Sequence, residues 1–412
     1  MSRGYSHIVI GAGTVGSAVA YWLARRGAER VVVLERFELL HPYGAFGDHS
    51  RIIRRVYPSA DYVRLTDAMF EAWEQLEHDS GLPLVARTGG LDLAERGTRG
   101  DDYLDRARRA LDETGVPHES LSAEDIRTRF PQWRVSDDTV GIFQADAGVL
   151  DIRRTVSAHL SLARAAGVEF RSGARADRID VGESGVAVRV VTADGDVETV
   201  HGAALVVAAG SWLGELMPDL GLDFTLTLSQ EQVSYFSSTD LAAFTPDRHP
   251  VWIHHGAQDT FYGFPVYGEA ATKVARDMRG RFIDSGDRVF TGDDAEGEVL
   301  AGFLREHLPA SAGPVLAHRT CVYDMTPDRG FLLDTLPGHP HVAVFSGAGH
   351  AGKFAGLVGQ ILADLQTGGS TPHPIDAFSL RRPATSDPDH PITFALDTDP
   401  ASGVGEEARA HR

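Results

Sequence analysis

Within its first 35 residues the chain spells out strand, glycine turn, helix and second strand. HIVI runs into Gly11, Gly13 and Gly16, VGSAVAYWLARRG has helical apolar spacing, and VVVLE ends in Glu35. Few patterns constrain a fold more, because each glycine has a separate duty. Gly11 makes the tight turn, Gly13 lets backbone approach a pyrophosphate, and Gly16 lets helix pack on strand. The helix N-terminus then faces phosphate, and an acid 24 positions after Gly11 can accept ribose hydroxyls. The pattern predicts a bound dinucleotide. By itself it does not choose between NAD and FAD.

Two later segments can rejoin that first sheet. ALVVAAGSW, residues 204–212, is an apolar strand ending in a small-residue turn, and HVAVFSGAGHAGKFAGLVGQILADL reads as strand, glycine-rich turn and helix. Between them, residues 225–278 alternate apolar and polar with many aromatics, which predicts an antiparallel sheet, and EGEVLAGFLREHL then predicts a helix. The fold class expected is α/β (α+β): a Rossmann-like cofactor domain from 1–86, 147–222 and 318–380, interleaved with a substrate domain from 87–146 and 223–317. From about Arg381 the chain is rich in Pro, Asp and Gly, and 381–412 is expected to be a poorly ordered tail.

A formal net charge of -19 with no basic stripe argues against nucleic acid and anionic membrane as partners. No apolar run is long enough to span a bilayer, no export signal is read, and one cysteine, Cys321, excludes an internal disulfide framework, so a cytoplasmic enzyme is expected. The histidines show no metal spacing, and no metal is expected. Positive charge is almost wholly arginine: of 39 Lys+Arg, only Lys273 and Lys353 are lysine. A compact ammonium whose pKa moves on burial differs from a planar, permanently charged guanidinium, so two retained lysines point to sites that reject arginine.

These residues together resemble the monomeric sarcosine oxidase and N-methyltryptophan oxidase group of FAD-dependent amine oxidases. The likeness spans nearly the whole chain up to about Pro383. It rests on IVIGAGTVGSA with Glu35, SRIIR at 50–54, FYGFPVYG followed by Lys273, TCVYDMTPD, and GHAGK at 349–353.

The resemblance implies FAD held by Gly11, Gly13, Gly16, Glu35, Arg36, Ser50, Arg51, Gly349, His350, Gly352 and Lys353, with a thioether to Cys321. It implies Lys273 at the flavin edge where oxygen is reduced, Lys353 and Arg54 as a clamp for a substrate carboxylate, and Tyr262 in the pocket wall. Arg51 and Arg54, spaced i, i+3, would share a face in a helical turn. Two departures bear on substrate. Gly47 stands where many relatives have His, with Asp48 and His49 following, and Asp277 stands four residues after Lys273 where sarcosine-specific members tend to have His. A carboxylate there favours a cyclic or larger secondary amino acid over sarcosine. The expected reaction takes a CH–NH group to an imine and O2 to hydrogen peroxide, in a monomer or weak homo-oligomer. A dehydrogenase using NAD or another electron acceptor, and a non-catalytic flavoprotein subunit, are the alternatives that the lysines argue against.

Overall fold

The computed structural model describes residues 4–396. Tyr5–Ile10 pairs in parallel with Val31–Leu34 on one side and with Val197–Val207 on the other. Ile8 and Ile10 pack into one apolar cluster and Val9 into another, so the strand is buried on both faces, as a parallel strand under two layers must be. Helices Thr14–Arg25, Ile152–Ala165 and Ala355–Gly368 cover one face. Glu169–Arg171, the hairpin Ala174–Val181 with Val186–Thr192, and the pair Leu332–Leu336 with His339–Ser346 complete an eight-stranded sheet.

The predicted antiparallel sheet is present with nine strands. Thr227–Phe236, Val251–His255, Thr260–Phe264 and Thr272–Arg276 come from the stretch that alternates, and Gly90–Glu95, Glu119–Ser122 and Thr139–Gln144 extend it. One pair is parallel, Val251–His255 beside Gly90–Glu95. Val315–Met325 pairs along the whole of Thr227–Phe236, so the segment expected to re-enter the cofactor domain at 318 belongs to this sheet until Met325. The helix predicted from EGEVLAGFLREHL is Asp294–His307.

Two expectations need correction. Ser50–Ile53 is a strand of a small third sheet with Gly148–Asp151 and Val85–Arg87, so Arg51 and Arg54 do not share a helical face. The β-branched pair Ile52–Ile53 suits that strand. Residues 381–396, expected to be loose, carry the short helices Pro383–Ser386 and Thr393–Leu396. Arg382 anchors them, its Nε donating to Asp328 at 2.8 Å and its Nη2 to the Gly330 carbonyl at 3.2 Å. The remainder of the expected tail, 397–412, lies outside the described residues.

Candidate active site

A cavity of about 740 Å³ runs from the glycine turn, where it touches Gly11, Gly13 and Glu35, to a polar chamber walled by Lys273, Lys353 and Arg54. The turn has the conformation its glycines predict. Gly11 has φ +97°, and a Cβ there would stand 2.4 Å from the Ala208 carbonyl oxygen. A Cβ on Gly16 would stand 1.9 Å from the Gly11 oxygen. Gly13 begins the helix Thr14–Arg25 with no side-chain cap and no acid in its first turn, leaving its N–H groups for an anion. Glu35, buried, accepts from the Ala12 and Phe37 amides at 2.8 and 3.0 Å. Arg36 lies over the Trp212 ring at 5.1 Å and pairs with Glu215 at 3.1 Å.

At the other end Lys273, 2% exposed, is held by Asp48 at 2.5 Å and donates to Ser50 Oγ at 2.9 Å and the Ser50 carbonyl at 3.0 Å. Burial pushes its pKa down and the Asp48 carboxylate opposes the fall. Its Nζ sits 4.4 Å from the Phe264 ring centroid. Packed against carboxylate, carbonyl and ring, the pocket has the dimensions of an ammonium. Among the described residues Arg51 bonds only backbone oxygens, those of Ser50 and Ala45. Cys321 faces the cavity from the strand Val315–Met325; burial raises its thiol pKa, while Arg51, Arg288 and Lys273 draw it down.

Arg54 leaves its strand to meet Asp92 at 3.2 Å, the Tyr103 hydroxyl at 3.4 Å and the Val56 carbonyl. Lys353, on the turn Ala351–Phe354, donates to the His350 carbonyl at 3.1 Å, and burial together with Arg54 pushes its pKa well down. Arg54 and Lys353 both lie over the Tyr57 ring, at 4.8 and 5.6 Å. Gly349 has φ +75° with the Tyr323 ring against it, and Gly352 packs beside Arg51. His350 stacks on Phe331 at 4.7 Å, and burial pushes its pKa well down, so it faces the cavity as a neutral ring. Burial likewise raises the Tyr262 hydroxyl.

Asp277 lines the cavity too, but not as an open carboxylate. Arg329 takes both its oxygens, at 2.8 Å each. The reading of Asp277 as a group awaiting a substrate donor is therefore revised: its charge is met within the chain. Arg329 and Met278, next to Asp277, hold φ of +53° and +58°, an uncommon conformation for residues with side chains, so both ends of the pair sit on strained backbone. Arg329, Asp92 and His255 escape the sequence reading. For Asp92 a signal exists, since GLDLAE sets it between two leucines in the middle of a strand.

Arg51 on its short strand, Arg54 just beyond it, an uncapped glycine turn and a buried cysteine all line a single elongated cavity, the arrangement a flavin-dependent oxidoreductase requires. Residues 6–365 match the family model described as FAD dependent oxidoreductase. The chain is 35% identical over 396 residues to a monomeric sarcosine oxidase of Streptomyces avermitilis, covering 94% of this chain and 100% of that one. It is 29% identical to an N-methyl-L-tryptophan oxidase of Salmonella dublin, over 92% of this chain and 99% of the relative. Among solved structures, the open form of NikD, an unusual amino acid oxidase essential for nikkomycin biosynthesis, matches with a TM-score of 0.79 at 28% identity, covering 92% of this chain and 98% of that one. The chain belongs to the FAD-dependent oxidoreductase family that its motifs resemble.

Proposed function

We propose that the chain oxidises the C–N bond of a secondary or cyclic amino acid to an imine, with FAD joined to Cys321 by a thioether and O2 reduced to hydrogen peroxide. A charge count at the cavity carries the reading. Lys273, Arg54 and Arg329 each have a carboxylate, from Asp48, Asp92 and Asp277. Among the described residues Lys353 and Arg51 have only backbone oxygens within bonding distance. A substrate carboxylate seated beside Lys353 and Arg54 supplies the missing negative charge and draws Lys353 back to its charged form. The relatives named for sarcosine and N-methyl-L-tryptophan, both N-methyl amino acids, support the same class.

FAD, when bound, would supply the two-electron chemistry, taking up the pair of the C–H bond next to nitrogen and giving it to O2. The chain's own residues position, exclude water and place charge. Lys353 and Arg54 fix the substrate by its carboxylate. Tyr57, Tyr262, Tyr323 and His350 make a dry wall that favours the neutral amine. Lys273 holds a preorganised positive charge for the reduction of oxygen. Two electrons and two protons leave CH–NH to give C=N, and O2 takes up both as hydrogen peroxide.

Peroxide release across N-methyl, cyclic and primary amino acids, each beside the amine lacking its carboxylate, tests this. A secondary amino acid is expected to turn over and its amine partner poorly. Lys353→Met should raise KM for the acid by about 30-fold, roughly 2 kcal/mol, and leave the amine unchanged; equal loss of both would remove the clamp. Acid-precipitated protein should stay yellow, with the flavin mass on the peptide holding Cys321. Free flavin in the supernatant would remove the thioether.

A further inference from the structure

We propose that Asp92 is a positioning residue for substrate-carboxylate recognition, acting through Arg54; this rests on the clamp reading above. Asp92 lies on Gly90–Glu95 in the interior of the nine-stranded sheet and is 2% exposed. It does not line the cavity, whereas the two groups it binds do. One oxygen, Oδ1, stands 2.9 Å from His255 Nε2 and 3.2 Å from Arg54 Nη1. Tyr103, on helix Arg99–Thr114, stacks on the His255 ring at 4.0 Å and 22° and reaches Arg54 Nη2 with its hydroxyl at 3.4 Å.

Asp92, His255, Tyr103 and Arg54 thus close a circuit whose members come from two strands, a helix and the segment after Ser50–Ile53. A buried carboxylate costs several kcal/mol unless paired and hydrogen-bonded. Asp92 is the one buried charge on its strand, between Leu91 and Leu93 of an apolar cluster, so its position is accounted for by what it holds. It holds the guanidinium. Among the described residues the Arg54 Nε has no hydrogen-bond partner, so Asp92, Tyr103, the Val56 carbonyl and the Tyr57 ring beneath it set where that fork points. With Asp92 neutral, the fork loses its one charged anchor.

The test uses the holoenzyme and acetate as a minimal carboxylate, followed by the change in flavin absorbance. Asp92→Asn keeps the shape and removes the charge. It should weaken acetate binding roughly tenfold, the loss of one charged hydrogen bond, with kcat at saturation changed less than about threefold and the carboxylate-free amine unaffected. Tyr103→Phe, which removes only a hydroxyl, should weaken acetate by about threefold at unchanged melting temperature, and decides the matter if Asp92→Asn does not fold. Wild-type acetate affinity in both variants overturns the proposal, as does equal loss of acetate and amine. Lys353→Met reports separately on the reading beneath it. Unchanged acetate affinity in that variant sinks the clamp, and the role of Asp92 with it.

Discussion

In the eight-stranded sheet the strand residues that reach the cavity are mostly apolar, Ile10, Leu34, Ala174, Ala176 and Phe345, with Arg175 the one charge among those described, and they offer a ligand mainly backbone and apolar surface. In the nine-stranded sheet the strands bordering the same cavity carry His255, Tyr262, Lys273 and Cys321. One side binds through shape and N–H groups at a helix end. The other works through side chains, and the ammonium it turns toward the cavity, that of Lys273, is met by the Asp48 carboxylate. Binding of a large cofactor tolerates apolar surroundings because the cofactor brings its own charges; moving electrons from a small amino acid to oxygen requires charges fixed beforehand.

If that contrast holds, the largest effect should follow from Gly16→Val. Its Cβ would fall 1.9 Å from the Gly11 carbonyl oxygen, so the variant should purify without flavin, read from absorbance and melting temperature. A yellow, stable Gly16→Val would break the comparison. Lys273→Met comes next: flavin content should be kept, while reoxidation by O2 slows by roughly 10²–10³ and reduction by substrate changes far less, measured by stopped flow. Equal slowing of both half-reactions would place the lysine elsewhere in the cycle.

The smallest effect is on stability. His159, on the helix side of the eight-stranded sheet beside Tyr21 and Trp73, has neither ring nitrogen bonded, and burial lowers its pKa from 6.5 to about 3. A folded pKa below the unfolded one means the unfolded chain binds the proton first. The stability is complete above 6.5 and is lost as pH falls toward about 3. His159→Phe should make the melting temperature less sensitive to acid, sparing about 1 kcal/mol over the first pH unit below 6.5. An unchanged acid limb would mean that His159 takes up its proton alike in the folded and unfolded chain.

Legibility in the sequence followed the same division. Gly11, Gly13, Gly16 and Glu35 lie within 25 residues, and local backbone geometry is written locally. The alternation of 225–278 likewise announced a sheet. Asp48 meets Lys273, Asp92 meets His255 and Asp277 meets Arg329 across long separations, and no periodicity reports which charges will face each other. The helical reading of SRIIR failed because i, i+3 spacing was taken as a face, whereas the pair of isoleucines belongs to a strand. Pro and Asp content near 381–396 suggested looseness, yet Arg382 on Asp328 ties that segment down.

Val315–Met325 places Cys321 on one sheet, while the glycine turn follows a strand of the other. A flavin bonded to Cys321 would span both, a covalent strut across the seam between two separately built halves. Neither half could then unfold without straining the other, and denaturant would see a single cooperative transition. Stripped of its flavin, the same chain would have only noncovalent contacts to couple its sheets.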